Sequence, residues 1–267
     1  MKIGVTILGC GSSGGVPRIG NDWGVCDPEN PKNRRSRCGI HVAVQPHSDA
    51  AEISILIDTA PELREQLIRN NIGKVDAVLY THAHADQAHG IDDLRVLAYN
   101  KRGQMPVYSN AATISELEER FSYCFKQPEG SPYPPILKSM EPVMPFEPFM
   151  VGNESMQVDV LPIDQDHGTI RSLGFRIGDF AYCNDVVNLP EESLKAIEGV
   201  KLLIVDALRY TEHPTHAHLA KSLQWIERSG AEKAILTNLH IDMDYDKVSA
   251  ETPDHVFVAY DGIFASI

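Results

Sequence analysis

The run Tyr80-Thr-His82-Ala-His84-Ala-Asp86-Gln87-Ala-His89-Gly90 constrains this chain more than any other stretch. It continues Asp76-Ala-Val-Leu-Tyr-Thr81, an apolar segment that reads as a buried strand delivering His82 at its end. Two histidines two apart, just past a strand, can turn their ring nitrogens to one metal, and an aspartate two further on can reach a second ion nearby. Alanines at 83 and 85 leave room for the tight turn. A lone histidine is ordinarily a structural residue. Three ligand types within five residues at a strand end point instead to a metal site.

The rest of the pattern supplies a scaffold. Ile3, Val5 and Ile7 alternate before the glycine cluster Gly9, Gly11, Gly14 and Gly15, as a strand running into a turn does. Ile53–Asp58 and Met105–Tyr108 read as strands, with helices from Pro61 to about Asn70 and from about Ala111 to Phe121. Residues 126–154 form a proline-rich excursion, expected to be a lid, a binding loop or a packed surface segment. Strand patterns resume at Met156–Leu161, Leu173–Ile177, Phe180–Cys183, Leu202–Asp206, Ala234–Leu239 and Val256–Tyr260, with helices from about Glu191 and Leu219. No linker or short repeat interrupts them, so the expectation is one α/β domain over residues 1–267. Asp58, His82, Asp185, Asp206 and His240 fall where strands end, the place where loops converge over a rigid sheet.

Charge and cysteine usage exclude several classes. The formal charge of −13 argues against tracking along nucleic acid, which wants a basic face. The only dense basic patch, Lys32-Asn-Arg-Arg35-Ser-Arg37, suffices for one phosphate-bearing substrate and also reads as a solvated loop. Five scattered cysteines without a C-x-x-C pair make a disulfide framework or cysteine-bound zinc unexpected. No apolar run approaches the roughly 20 residues that span a bilayer. The first residues read as a strand and not a signal peptide, so the cytoplasm is the expected address.

The histidine run resembles the metallo-β-lactamase signature H-x-H-x-D-H, and the likeness continues along the chain. Leu8-Gly-Cys-Gly-Ser-Ser-Gly-Gly-Val-Pro17 resembles the family's first strand and loop, Gln165-Asp-His167-Gly its third-histidine motif, and Ala181-Tyr-Cys-Asn-Asp185-Val its bridging aspartate. Asp58 falls at the family's acidic residue behind the ligands, and Ala259-Tyr-Asp-Gly262 is similar to its closing segment. The resemblance implies an αββα sandwich with two metals in a shared cleft. Gly90-Ile-Asp-Asp-Leu-Arg95 and His213-Pro-Thr-His216 are similar to the small-phosphodiesterase branch that acts on phosphoribosyl cyclic phosphates.

On that resemblance, His82, His84, His167 and Asp185 hold one divalent ion, zinc or manganese. Asp86 and Asp185 serve a second ion and the chemistry. Two departures bear on that second ion: Gln87 and Asn238 stand where the family has histidines. His240 is expected to substitute, since two residues along a strand return to the same face. Water bound to such an ion loses its proton near pH 7, and the hydroxide attacks phosphorus. His216 is the expected acid for the leaving group, worth about a hundredfold or more, against a reading as a loop residue capping the helix near Leu219. Ser12 and Ser13, in the glycine turn, and Arg35 and Arg37 are expected to contact phosphate. The substrate is expected to be a small cyclic or nucleotide-like phosphodiester, with no membrane partner, no extended nucleic acid and a homodimer left open. A tRNase Z-type endoribonuclease ranks second, because the proline-rich segment is acidic where such enzymes carry a basic arm. A glyoxalase II-type thioesterase ranks third, because it needs the histidine that Gln87 replaces. A metal- or nucleotide-binding protein without turnover is the alternative of another class.

Overall fold

A computed structural model describes residues 1–48, 50–153 and 155–267. Two seven-stranded sheets stack face to face. The first is laid down by β1 (Lys2–Gly9), β2 (Gly39–Gln45), β3 (Ile53–Ile57), β4 (Ala77–Leu79), β5 (Met105–Tyr108) and β6 (Leu137–Ser139). The second follows as β7 (Phe149–Gly152), β8 (Gln157–His167), β9 (Ile170–Ile177), β10 (Phe180–Cys183), β11 (Leu202–Asp206), β12 (Lys233–Thr237) and β13 (Val256–Val258). The last strand, β14 (Phe264–Ser266), returns to pair with β1 and closes the first sheet's edge. Each sheet begins with antiparallel pairs and continues with parallel ones, β3 to β6 and β10 to β13.

Alternation along the strands explains the layering. In β3, Ile53, Ile55 and Ile57 turn toward the second sheet, while Leu56 joins a separate cluster beneath the outer helices. Each such fully buried aliphatic side chain contributes about 1.5–3 kcal/mol by leaving water. The outer face of the first sheet is covered by α1 (Leu63–Arg69), α2 (Ala85–Ala88), α3 (Leu94–Lys101), α4 (Ala111–Arg120) and α5 (Ser122–Phe125), whose apolar residues form that second cluster. The second sheet carries α6 (Glu191–Ala196), α7 (Leu219–Ser229) and α8 (Tyr245–Glu251). On α7, Leu219, Ser222, Trp225, Ile226 and Ser229 form one buried stripe, and Gly230 ends the helix at φ +64°. The result is an α/β sandwich of αββα type, as the resemblance implied.

Two expectations on elements need correction. The proline-rich segment is not irregular throughout, since β6 and β7 lie within it and extend the two sheets (Glu154 lies outside the described residues). The strand expected to stop at Leu161 runs on to His167. Pro162, Asp164 and Asp166 obscured it because they break the apolar pattern. In the fold, Asp164 and Asp166 both pair with Arg171 across the β8–β9 hairpin. All five cysteines are buried and unpaired, in keeping with reduced thiols. Among the described residues no helix is long and apolar enough to cross a membrane.

Candidate metal centre

Strand ends from both sheets meet at one edge of the sandwich. His82 follows β4, His167 ends β8, and Asp58, Asp185, Asp206 and Asn238 end or follow β3, β10, β11 and β12. Asp58, Asp185 and Asn238 have positive φ, at +64°, +53° and +62°. Left-handed backbone costs about 1–2 kcal/mol for most residues and least for Asn and Asp. Three such residues clustered at one edge mark a site that trades local strain for side-chain direction.

The three ring nitrogens that meet here are prepared in different ways. His82 is buried, with Nδ1 2.9 Å from Thr81 Oγ1. Thr81 Oγ1 in turn donates to Asp58 Oδ2, and Thr81 N–H to Asp58 Oδ1. With Nδ1 so occupied, His82 Nε2 is a buried nitrogen with no protein partner. His167 Nδ1 donates to Thr215 O at 2.8 Å, which leaves the Nε2 lone pair free 3.3 Å from His84 Nδ1. The ring centroids of His82, His84 and His167 lie 4.5–5.2 Å apart. Gly168 makes the hairpin turn beside His167 at φ +70°, and a Cβ there would come within 2.5 Å of the Thr215 side chain. A side chain at 168 would therefore push away the residue that orients His167.

Electrostatics favours a cation at this edge. Burial pushes the Asp58 carboxyl up to about 8, opposed by its bonds from Thr81. Burial also pushes Asp185 well up, with Asp86, Asp206 and Asp58 adding like charge and His216 opposing. Burial depresses His82, and it lowers His167 to about 4, so both rings are neutral lone-pair donors. Buried carboxylates without a cation are costly, and neutral imidazoles are the form that metals bind. The orphaned His82 Nε2, the converging rings and the buried carboxylates together fit a divalent ion.

Beside this cluster stands a second group, His167, Asp185 and His216. His216 Nδ1 lies 2.9 Å from Asp206 Oδ2 and 3.7 Å from Asp185 Oδ1. Burial alone would lower the His216 imidazole, but Asp206, Asp185 and Asp86 outweigh it and hold it up at about 9. Asp206 was visible in the sequence only as a strand-end acid, with no role assigned. Thr81 and Thr215 carried no signal beyond adjacency to histidines.

Other expected residues are placed differently. His240 joins neither cluster: its Nε2 contacts Arg18 Nη2 and its Nδ1 lies 2.9 Å from Asp242 Oδ2. The strand period failed there because β12 ends at Thr237 and the left-handed Asn238 turns the chain. Asn238 Nδ2 lies 3.2 Å from Asp206 Oδ1 and 3.1 Å from His216 Nδ1. Gln87 is fully buried, with Nε2 donating to Asp86 Oδ2 at 3.3 Å and Oε1 unpartnered. His89 is exposed and meets the Phe121 ring edge to face.

Three of the four residues expected to contact phosphate, Ser12, Arg35 and Arg37, also make protein contacts of their own. Arg35 is buried, donating to His240 O and Asn33 Oδ1, and Arg37 is paired with Glu62. In the glycine turn, the amides of Gly11, Ser12 and Gly15 all donate to backbone carbonyls, while Ser13 is exposed. Arg35 is tied into the fold through its Nη atoms while its buried Nε has no partner, and Arg37 is tied through Nε to Glu62.

Residues 54–241 match the family model described as the beta-lactamase superfamily domain. An octanoyltransferase of Porphyromonas gingivalis is 32% identical over 266 residues, covering 98% of this chain and 51% of that protein. The chain thus spans about half the length of that curated relative. A crystal structure of a diphosphatase from the PhnP family superposes with a TM-score of 0.87 at 32% identity, covering 100% of this chain and 98% of the other. Zinc-bound PqqB from Methylobacterium extorquens shares the fold at a TM-score of 0.72 and 16% identity, covering 98% and 99%.

Proposed function

The chain belongs to the beta-lactamase superfamily, and from that membership we propose that it is a metal-dependent phosphodiesterase acting on small, nucleotide-sized substrates. The observation that carries this reading is the His216–Asp206 pair set against the His82, His84 and His167 cluster. Phosphodiester hydrolysis needs help at both ends, for the attacking water and for the departing alkoxide, and the two groups divide those tasks.

His82, His84, His167 and Asp185 would hold one divalent ion, zinc or manganese. Asp86 and the Gln87 amide oxygen are the residues left for a second. A divalent ion held there would lower the pKa of water toward about 7 and would offset negative charge gathering on phosphate oxygens. The protein's own part is orientation and proton supply. Water adds to phosphorus, the P–O bond to the leaving alcohol breaks, and the leaving oxygen takes its proton from His216 Nε2. Asp206 holds His216 in that orientation by accepting from Nδ1.

The likeness to a PhnP-family diphosphatase over the whole chain supports phosphorus chemistry. The octanoyltransferase match does not move the reading to acyl transfer. About half of that relative has no counterpart here, so its activity is not carried over to this chain, whose own histidine–carboxylate clusters are those of a metal site. The formal charge of −13 weighs against an RNA-processing role.

The test is metal-loaded protein assayed on cyclic and linear mononucleotide diesters beside precursor tRNA. Cleavage of small diesters with shallow salt dependence is expected. Selective tRNA processing that falls steeply with salt would overturn the assignment.

A further inference from the structure

The two carboxylate oxygens of Asp185 have different surroundings. Oδ1 lies 3.7 Å from His216 Nδ1, in the group that also includes His167. Oδ2 accepts from Nδ2 of the neighbouring residue, Asn184, whose side chain is completely buried. A carboxylate that binds a metal has lost its proton and can only accept, so the amide atom facing it is the nitrogen. Asn184 Oδ1 is then left buried without a partner. An unmet buried acceptor costs stability that an apolar side chain of similar size would not. Packing alone therefore does not account for an asparagine here, whereas a charge-assisted bond to Asp185 does.

The backbone at this corner is held by other residues. Gln165, on β8 two residues before His167, donates from Nε2 to Asn184 O at 2.9 Å and to Ser172 Oγ at 3.1 Å. Ser172 sits opposite Gln165 on β9, and its Oγ donates to Asp185 O at 2.8 Å. The carbonyls before and after the Asp185 Cα are thus tied to the β8–β9 hairpin, which holds Asp185 at its φ of +53°. Gln165 and Ser172 are fully buried, and Gly174 leaves them room, since a Cβ there would come within 2.7 Å of Gln165 Oε1. What remains for the Asn184 side chain is the direction of the Asp185 carboxylate.

We propose that Asn184 is a positioning residue for the metal-binding carboxylate: it holds Asp185 Oδ2 and leaves Oδ1 as the single oxygen offered to a divalent ion. The carboxylate then can neither chelate one ion with both oxygens nor span two ions with one oxygen on each. This deepens the reading above by fixing how Asp185 ligates, and it rests on the metal centre but not on the choice of substrate.

The test reads metal binding and not turnover. Zinc affinity of the parent, Asn184→Ala and Asn184→Ser is measured by competition with a chromophoric chelator, and the visible spectrum of each is recorded with Co²⁺ in place of zinc. Asn184→Ala should bind zinc about ten- to a hundredfold more weakly, the usual cost of losing a partner behind a ligand. Its cobalt bands should weaken, because a freed carboxylate can turn both oxygens to the ion and raise its coordination number. Asn184→Ser keeps a short donor and should recover part of both effects. Zinc affinity in Asn184→Ala within about threefold of the parent, an unchanged cobalt spectrum, or a serine variant no better than alanine overturns the proposal. Gln165 and Ser172 pin the backbone, so both variants should fold; a chain that does not fold without Asn184 would make it a structural residue and overturn the proposal as well. A parent that holds no divalent ion takes down the metal reading together with this one, whereas zinc held as tightly without Asn184 takes down this one alone.

Discussion

His216 Nδ1 lies 2.9 Å from Asp206 Oδ2, and that carboxylate is completely buried. Val186 N–H donates to the same oxygen and Asn238 Nδ2 to the other, so Asp206 is held from two directions. The carboxylate fixes His216 with its donor on Nδ1 and leaves Nε2 for the cleft. Asp206→Asn should therefore act like His216→Ala. Each should slow alkyl diesters by about a hundredfold or more and nitrophenyl esters far less, because nitrophenolate departs unaided. The measurement is kcat on the two substrate types. Equal losses on both would make the pair structural.

Metal should be worth stability as well as activity. Asp185 is buried among Asp58, Asp86 and Asp206, a gathering of acids that a cation relieves. A chelator should lower the melting temperature, by an amount that grows as the free metal concentration falls; metal held at a hundred times its dissociation constant contributes about 2.7 kcal/mol. Asp185→Asn should abolish that shift, and its metal-free form should melt no lower than the metal-free parent, since the substitution removes a buried charge. Full activity after complete chelation would sink the metal-dependent reading.

His41 offers a pH test away from the site. Its Nε2 lies 2.7 Å from Ser54 Oγ, whose own proton goes to Lys74 O, so neutral His41 is the donor. Burial lowers its pKa to about 4, against about 6.5 in the unfolded chain. Between these values the unfolded chain binds more protons. The contribution of neutral His41 is therefore full above about pH 6.5 and is lost as pH falls toward 4, by at most ~3 kcal/mol. Urea unfolding from pH 7.5 to 4 should show a shallower pH slope in His41→Gln than in the parent. Parallel slopes would refute the assignment.

What the sequence disclosed divides along local and non-local lines. The strand leading to His82 and the closely spaced His82, His84 and Asp86 are local patterns; in the structure β4 ends at Leu79, His82 and His84 join the metal cluster, and Asp86 lies in α2 beside them. The sequence pattern stops β8 short of its true end, because Asp164 and Asp166 look like a loop until Arg171 pairs with them across a hairpin. Asp206 was legible as a strand end, but its bond to His216 depends on how α7's approach folds back over β11. His240 was misplaced for one backbone reason: the alternation it relied on stops at Asn238, whose φ of +62° redirects the chain toward Arg18 and Asp242.

That same residue shapes the final prediction, on the number of metals. Asn238 stands where a histidine would serve a second ion, and its Nδ2 is already turned to Asp206 and His216. Gln87 offers an unpartnered, buried Oε1 next to Asp86, a neutral oxygen in place of an imidazole nitrogen. Oxygen-rich sites suit manganese better than zinc, so a second ion should bind weakly or as Mn²⁺. Elemental analysis of dialysed protein should find one tight metal, with a second only when metal is supplied in excess. Gln87→His should raise second-site zinc affinity, by about tenfold if one good ligand is gained. Asn238→His alone should do less, because it also removes a donor that holds Asp206. Two equally tight zinc ions in the unaltered protein would show that Gln87 and Asn238 ligate as well as the histidines they replace, and the one-metal reading would be wrong.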